Sequence, residues 1–131
     1  MNILLQKHLN FNRCFKINFD GGDLTSDAGL LLYKEFDEKI GFSYLIKKYL
    51  NQIDVNKFRI HSSVAIIIQK IYQHIAGYHV DDDADELRNE PIFKAILNKE
   101  SLASQPTISR LNNRLNIDTI KLFEIINEKL M

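Results

Sequence analysis

Between Ser62 and Gly77 the chain reads SSVAIIIQKIYQHIAG, with apolar residues at Val64, Ile67, Ile68, Ile71, Tyr72 and Ile75. That spacing is one face of a helix. Ala65, Ile66 and Ala76 widen the face until only Gln69, Lys70, Gln73 and His74 remain polar. A helix so apolar has to be covered on most sides, which makes it the expected centre of a helical domain. Ser62 or Ser63 can cap its start, and Gly77 suits the left-handed position that ends helices. No neighbouring segment looks long enough to hold a core alone.

The rest of the chain is expected to wrap this helix. Residues 1–13 show no period and read as a lead-in, leaving 14–131 as a single domain. From Cys14 to Phe19 the residues alternate, Phe15, Ile17 and Phe19 against Lys16 and Asn18, as in a half-buried strand closed by Asp20-Gly21-Gly22. No second alternating run of that clarity follows. A strand needs hydrogen-bonding company, so its partner is expected to lie outside the chain. Helices then follow in series. The first is capped by Thr25 or Ser26, ends at Gly41 and turns Leu32, Tyr33, Phe36 and Ile40 inward. The second buries Phe42, Leu45, Ile46, Tyr49 and Leu50. Beyond the central helix, Asp83 and Glu86 have capping-box spacing for a short helix reaching Asn89. Pro91 opens another, with Phe93, Ile96 and Leu97 inside, and Pro106 sits in the first turn of a third that buries Ile108, Leu111 and Leu115. Asp118 caps the last, whose inward set is Leu122, Phe123, Ile126 and Leu130. The expected fold is therefore mainly α: a multi-helix domain around a central apolar helix, with one short N-terminal β-strand.

Charge and cysteine content narrow the function. Lys plus Arg and Asp plus Glu number 17 each, for a formal net charge of zero. That argues against a free-standing, strongly basic nucleic-acid binder while leaving room for a local patch. Cys14 is the single cysteine, which fits a reducing compartment. Neither a signal peptide nor a membrane span is legible, so a cytoplasmic protein without membrane contact is expected.

The candidate chemical sites differ in how well their spacing holds. Asp81, Asp83 and Asp85 begin like a calcium loop, but Glu86 stands where that loop needs glycine and Ile92 where it needs a bidentate Glu. They read as a solvated helix start, and no metal is expected. His61, His74 and His79 lack the remaining ligands of a zinc set, Cys14 has no activating base beside it, and Gly21-Gly22 lacks the lysine and spacing of a phosphate loop. No catalytic residue is assigned. The helix after Pro106 carries more. With its apolar side inward, its outer side presents Thr107, Ser109, Arg110, Asn112, Asn113 and Arg114. Hydroxyls, amides and guanidinium groups bind phosphates and base edges, and a helix fits the major groove. Thr107, Ser109, Arg110, Asn113 and Arg114 are the candidate DNA contacts, with Arg110 and Arg114 pointing outward. The short helix from Pro91 is the expected partner of a helix-turn-helix-like pair.

Three segments, in order, carry a family resemblance: Leu24-Thr25-Ser26-Asp27-Ala28-Gly29-Leu30-Leu31-Leu32; Gln69-Lys70-Ile71-Tyr72 through Gly77-Tyr78-His79-Val80-Asp81-Asp82-Asp83-Ala84-Asp85 to Leu87-Arg88-Asn89-Glu90-Pro91; and Leu102-Ala103-Ser104-Gln105-Pro106-Thr107-Ile108-Ser109-Arg110-Leu111 with Asn113-Arg114-Leu115. Together they resemble the N-terminal region of bacterial insertion-sequence transposases of the DDE type. Such enzymes cut and paste DNA with three carboxylates and divalent metal such as magnesium on a ribonuclease-H-like sheet. The chain departs from the pattern at His79-Val80, where Glu-Asp is usual, and at Ala28, where glycine is frequent. The family's first catalytic Asp lies on a strand beyond the last helix of this sequence, so no residue here inherits that role. The resemblance implies the DNA-engaging and assembly part of a transposase, truncated before its catalytic domain, inactive alone and without a cofactor of its own. Its partners would be the DNA of element ends and either intact transposase or a second copy. The alternative is a non-enzymatic helical module that associates with, or inhibits, the intact enzyme.

Overall fold

The computed structural model of the protein describes residues 7–8, 10–12, 16–17, 27–53 and 60–131. Among these, helices dominate: α1 (Leu30–Ile40), α2 (Phe42–Leu50), α3 (Ser63–Ile75), α4 (Asp83–Leu87), α5 (Pro91–Leu97), α6 (Gln105–Asn112) and α7 (Ile117–Leu130). A short 3-10 turn, Asn51–Ile53, extends α2. The mainly helical architecture is as expected.

The central helix is where the sequence puts it. α3 is capped by the Ser62 side chain, which accepts a hydrogen bond from the Ala65 amide at 3.1 Å. Gly77 follows its end with φ +95°, the left-handed geometry that glycine adopts without strain. Val64, Ile66, Ile67, Ile68 and Tyr72 are buried, and α2, α5 and α6 pack around them. The polar stripe is a correction. Gln69 and Gln73 are buried as well, whereas Ile75 is 41% exposed. The Gln69 amide donates to the Ala103 carbonyl at 3.0 Å and accepts from the Ala103 amide at 2.8 Å, and Gln73 takes its other proton at 3.2 Å. A primary amide can enter a core when its donors and acceptor are all met, and here a stretch of backbone meets them.

α1 is turned the other way from expectation. Leu32, Tyr33, Phe36 and Ile40 are 43–58% exposed, while Leu30, Glu35 and Asp37 are buried. Donors from other elements explain the reversal. Asp37 accepts from the Ser43 amide at 2.7 Å, the Ser43 hydroxyl at 2.5 Å and the Tyr72 hydroxyl at 2.7 Å, so one carboxylate joins α1, α2 and α3. Glu35 accepts from the Asn10 amide at 2.7 Å. Ionised acceptors make strong hydrogen bonds, and these hold the charged side of α1 inside at the expense of its apolar stripe. Burial, with the bond to Asp37, raises the Tyr72 pKa and keeps its phenol protonated. The proposed caps Thr25 and Ser26 lie outside the described residues.

Other helix starts also differ in detail. The Asp83–Glu86 capping box is not formed: α4 makes no side-chain cap bond and ends at Leu87. α7 is capped by a reciprocal Asn116–Thr119 box, with the exposed Asp118 in its first turn. α5 begins as expected on Pro91, with Glu90 accepting from the Phe93 amide at 3.0 Å. The N-terminal strand has its partner within the chain. Lys16–Ile17 (β2) pairs antiparallel with Lys7–His8 (β1), so the expectation of an outside partner is overturned. The remainder of the expected strand, Cys14, Phe15, Asn18 and Phe19, and its turn at Asp20-Gly21-Gly22, fall outside the described residues.

Candidate nucleic-acid interface

α6 is seated from behind by polar contacts that reach it from three other segments. The Gln69 clamp on Ala103 fixes the strand of chain that leads into it. Its first amide, that of Gln105, donates to the Asp85 carboxylate at 2.9 Å, which also places a negative charge at the positive end of the helix dipole. At its other end Asn112 donates to Asp81 at 3.0 Å and accepts from Lys70 at 3.1 Å, while Lys70 and Asp81 are themselves paired at 3.2 Å. Beneath these, Ile108 and Leu111 are fully buried. α6 packs chiefly on α3 and α4, and α5 packs chiefly on α1 and α3. The partner of α6 is therefore not the helix immediately before it, contrary to the helix-turn-helix expectation.

The acidic run is occupied by this scaffold. Asp81 and Asp85 are engaged as described, and Asp83 accepts a long bond from the Val80 amide at 3.4 Å. Among the described residues, no three His, Cys, Asp or Glu side chains are grouped to hold a metal ion. Of the run, Asp81 and Asp85 face amide and ammonium donors of the scaffold. His74 and His79 meet edge to face at 5.4 Å between ring centroids, both exposed.

The five candidate contacts divide. Arg110 and Asn113 are exposed, and Ser109 and Thr107 are half-buried beside them. The Thr107 hydroxyl lies 3.1 Å from that of Ser104 at the helix start. Arg114 is not on the outer side. Its guanidinium donates to the Ser63 hydroxyl at 3.1 Å, and its buried Nε has no partner, so it braces the end of α6 against the start of α3. That inward turn corrects the expectation that both arginines point to solvent. Asn112, by contrast, shows how the helix is held in register, a role its polar type could not reveal. What remains outward is a short patch of the Arg110 guanidinium, the Asn113 amide and the half-buried Ser109 hydroxyl, carried on a helix held by the contacts above.

The segments on which the family resemblance rests are thus the ones that touch. The Tyr78 hydroxyl donates to Asp27 at 3.1 Å, Gln69 clamps Ala103, Lys70 and Asp81 meet Asn112, and the Leu102 amide donates to the Arg88 carbonyl at 3.0 Å. The family described as "Transposase DDE domain group 1" has a sequence model that matches residues 7–131. No curated protein and no solved structure matches the chain.

Proposed function

The chain belongs to the transposase DDE domain group 1 family, and from that membership we propose that its helical part engages the DNA of element ends through the outer side of α6. The observation that carries this reading is the division of labour around that helix. The first amide of α6, Asn112 and Arg114 are paired within the fold, and the Ser109 hydroxyl, Arg110 guanidinium and Asn113 amide are left as donors suited to phosphate and base edges. A helix that presents donors from a rigid base loses little conformational entropy when it docks. The role proposed for this part is binding and assembly rather than strand transfer, the latter requiring three metal-binding carboxylates in such enzymes.

The test compares the two arginines. Arg110→Ala should weaken binding to terminal inverted-repeat DNA and flatten its dependence on salt, because one cation fewer displaces counterions. Its melting temperature should stay close to that of the parent. Arg114→Ala should lower thermal stability, since it removes the bond to Ser63 and leaves space at the α3–α6 contact. Equal DNA affinity for parent and Arg110→Ala across a salt series would retire α6 as the reading helix. Association with intact transposase that proceeds without DNA would then favour the interaction-module reading.

A further inference from the structure

A cavity of about 770 Å³ opens on the opposite end of α3 from Gly77, at the helix's first turn. Cations reach its lining from three elements: Lys34 of α1, Lys47 of α2 and Lys99 beyond α5. Lys34 is tied to Glu38 at 2.9 Å, the one carboxylate among the described lining residues. Lys47 and Lys99 form no ion pair with any described residue. Lys99 is placed by a helix end rather than by chance. Asn98 adopts φ +52°, the chain reverses, and the Lys99 amide closes onto the Lys94 carbonyl at 3.0 Å, a Schellman-type stop. Val64, Ala65 and Ile68 supply an apolar wall, and Ser62, the N-cap of α3, lines the same space.

We propose that this cavity binds a phosphate group, held between Lys47 and Lys99 beside the first turn of α3. Lys47 and Lys99 bring two positive charges to one concave lining, where an anion would gain charge-assisted hydrogen bonds. The cavity volume falls within the range of small-molecule sites. His61, which also lines it, has its pKa lowered by burial and by the fields of Lys99 and Arg88. An anion in the cavity opposes the fields of both cations. His61 is therefore a reporter built into the site.

The site is separate from α6, and its test separates the two. The full chain is titrated with inorganic phosphate, with a deoxynucleoside monophosphate and with a short duplex, and the His61 ring resonances are followed by nuclear magnetic resonance. Expected is a saturable shift together with an upward move of the His61 titration midpoint. The Lys47→Ala, Lys99→Ala double variant should weaken that binding about tenfold or more, and Lys47→Arg, Lys99→Arg should retain it. Saturation by phosphate or the mononucleotide identifies a free ligand as sufficient, whereas saturation by the duplex alone identifies a backbone phosphate. Binding in the Arg110→Ala variant should match the parent whichever source applies. Absence of a saturable shift with all three probes overturns the proposal, as does unchanged affinity in a folded alanine double variant.

Discussion

At the scale of single residues, the side chains that matter most for the fold are polar. Gln69 is 3% exposed and bonds both backbone groups of Ala103. Gln69→Leu fills similar space but leaves a buried amide and a buried carbonyl unpaired, for an expected loss of roughly 2–4 kcal/mol in urea unfolding. Loss of less than about 0.5 kcal/mol would mean that water takes over both bonds. His61 gives a pH signature. Its pKa is lowered in the folded state, so below its ordinary value of 6.5 the unfolded chain binds the proton more readily. Stability should fall as pH drops through that range, level off below the folded pKa, and fall less steeply in His61→Asn. Thermal melts across a pH series check the sign. Neither role was legible from the sequence. Gln69 sits in a polar stripe of a helical pattern, and the backbone that satisfies it lies 34 positions away. His61 has the cations of Lys99 and Arg88 as neighbours only after folding.

At the scale of elements, the helices were legible because a period of about 3.6 with prolines and glycines at the ends is a local property. Which face turns inward was legible only where the core is apolar. α2, α5 and α6 turn inward, fully or in part, what their patterns indicate, and α1 does not. Its apolar stripe lost to Asp37 and Glu35, whose donors come from Ser43, Tyr72 and Asn10. The outcome leaves Leu32, Tyr33, Phe36 and Ile40 on the surface, a patch of the kind that lowers solubility. Leu32→Glu with Phe36→Glu should reduce light scattering at high protein concentration and leave the melting temperature within a few degrees of the parent. A large drop in melting temperature would show that the stripe is covered in solution. The candidate interface was half legible by the same logic. The outward donors of α6 follow from its period, but Arg114 turns inward because the start of α3 offers it the Ser63 hydroxyl.

At the scale of the molecule, the polar links span the sequence: Asp27 to Tyr78, Asp37 to Tyr72, Gln69 to Ala103, Asp81 to Asn112. Each ties one helix or its approach to another across at least 31 positions. Melting followed by far-ultraviolet and near-ultraviolet circular dichroism should therefore give coincident curves over the helical part, the mark of one cooperative unit. Separated curves would show that the helical part does not unfold as one unit. The Gln69 clamp has a genetic consequence as well. Its partner is a peptide group, which is the same whatever side chain position 103 carries. Ala103 is itself fully enclosed, so a larger residue there would meet steric resistance. A defect at Gln69 consequently has no compensating partner to be found at position 103. In a selection for revertants, rescue should come from true reversion or from changes that stabilise the helices elsewhere.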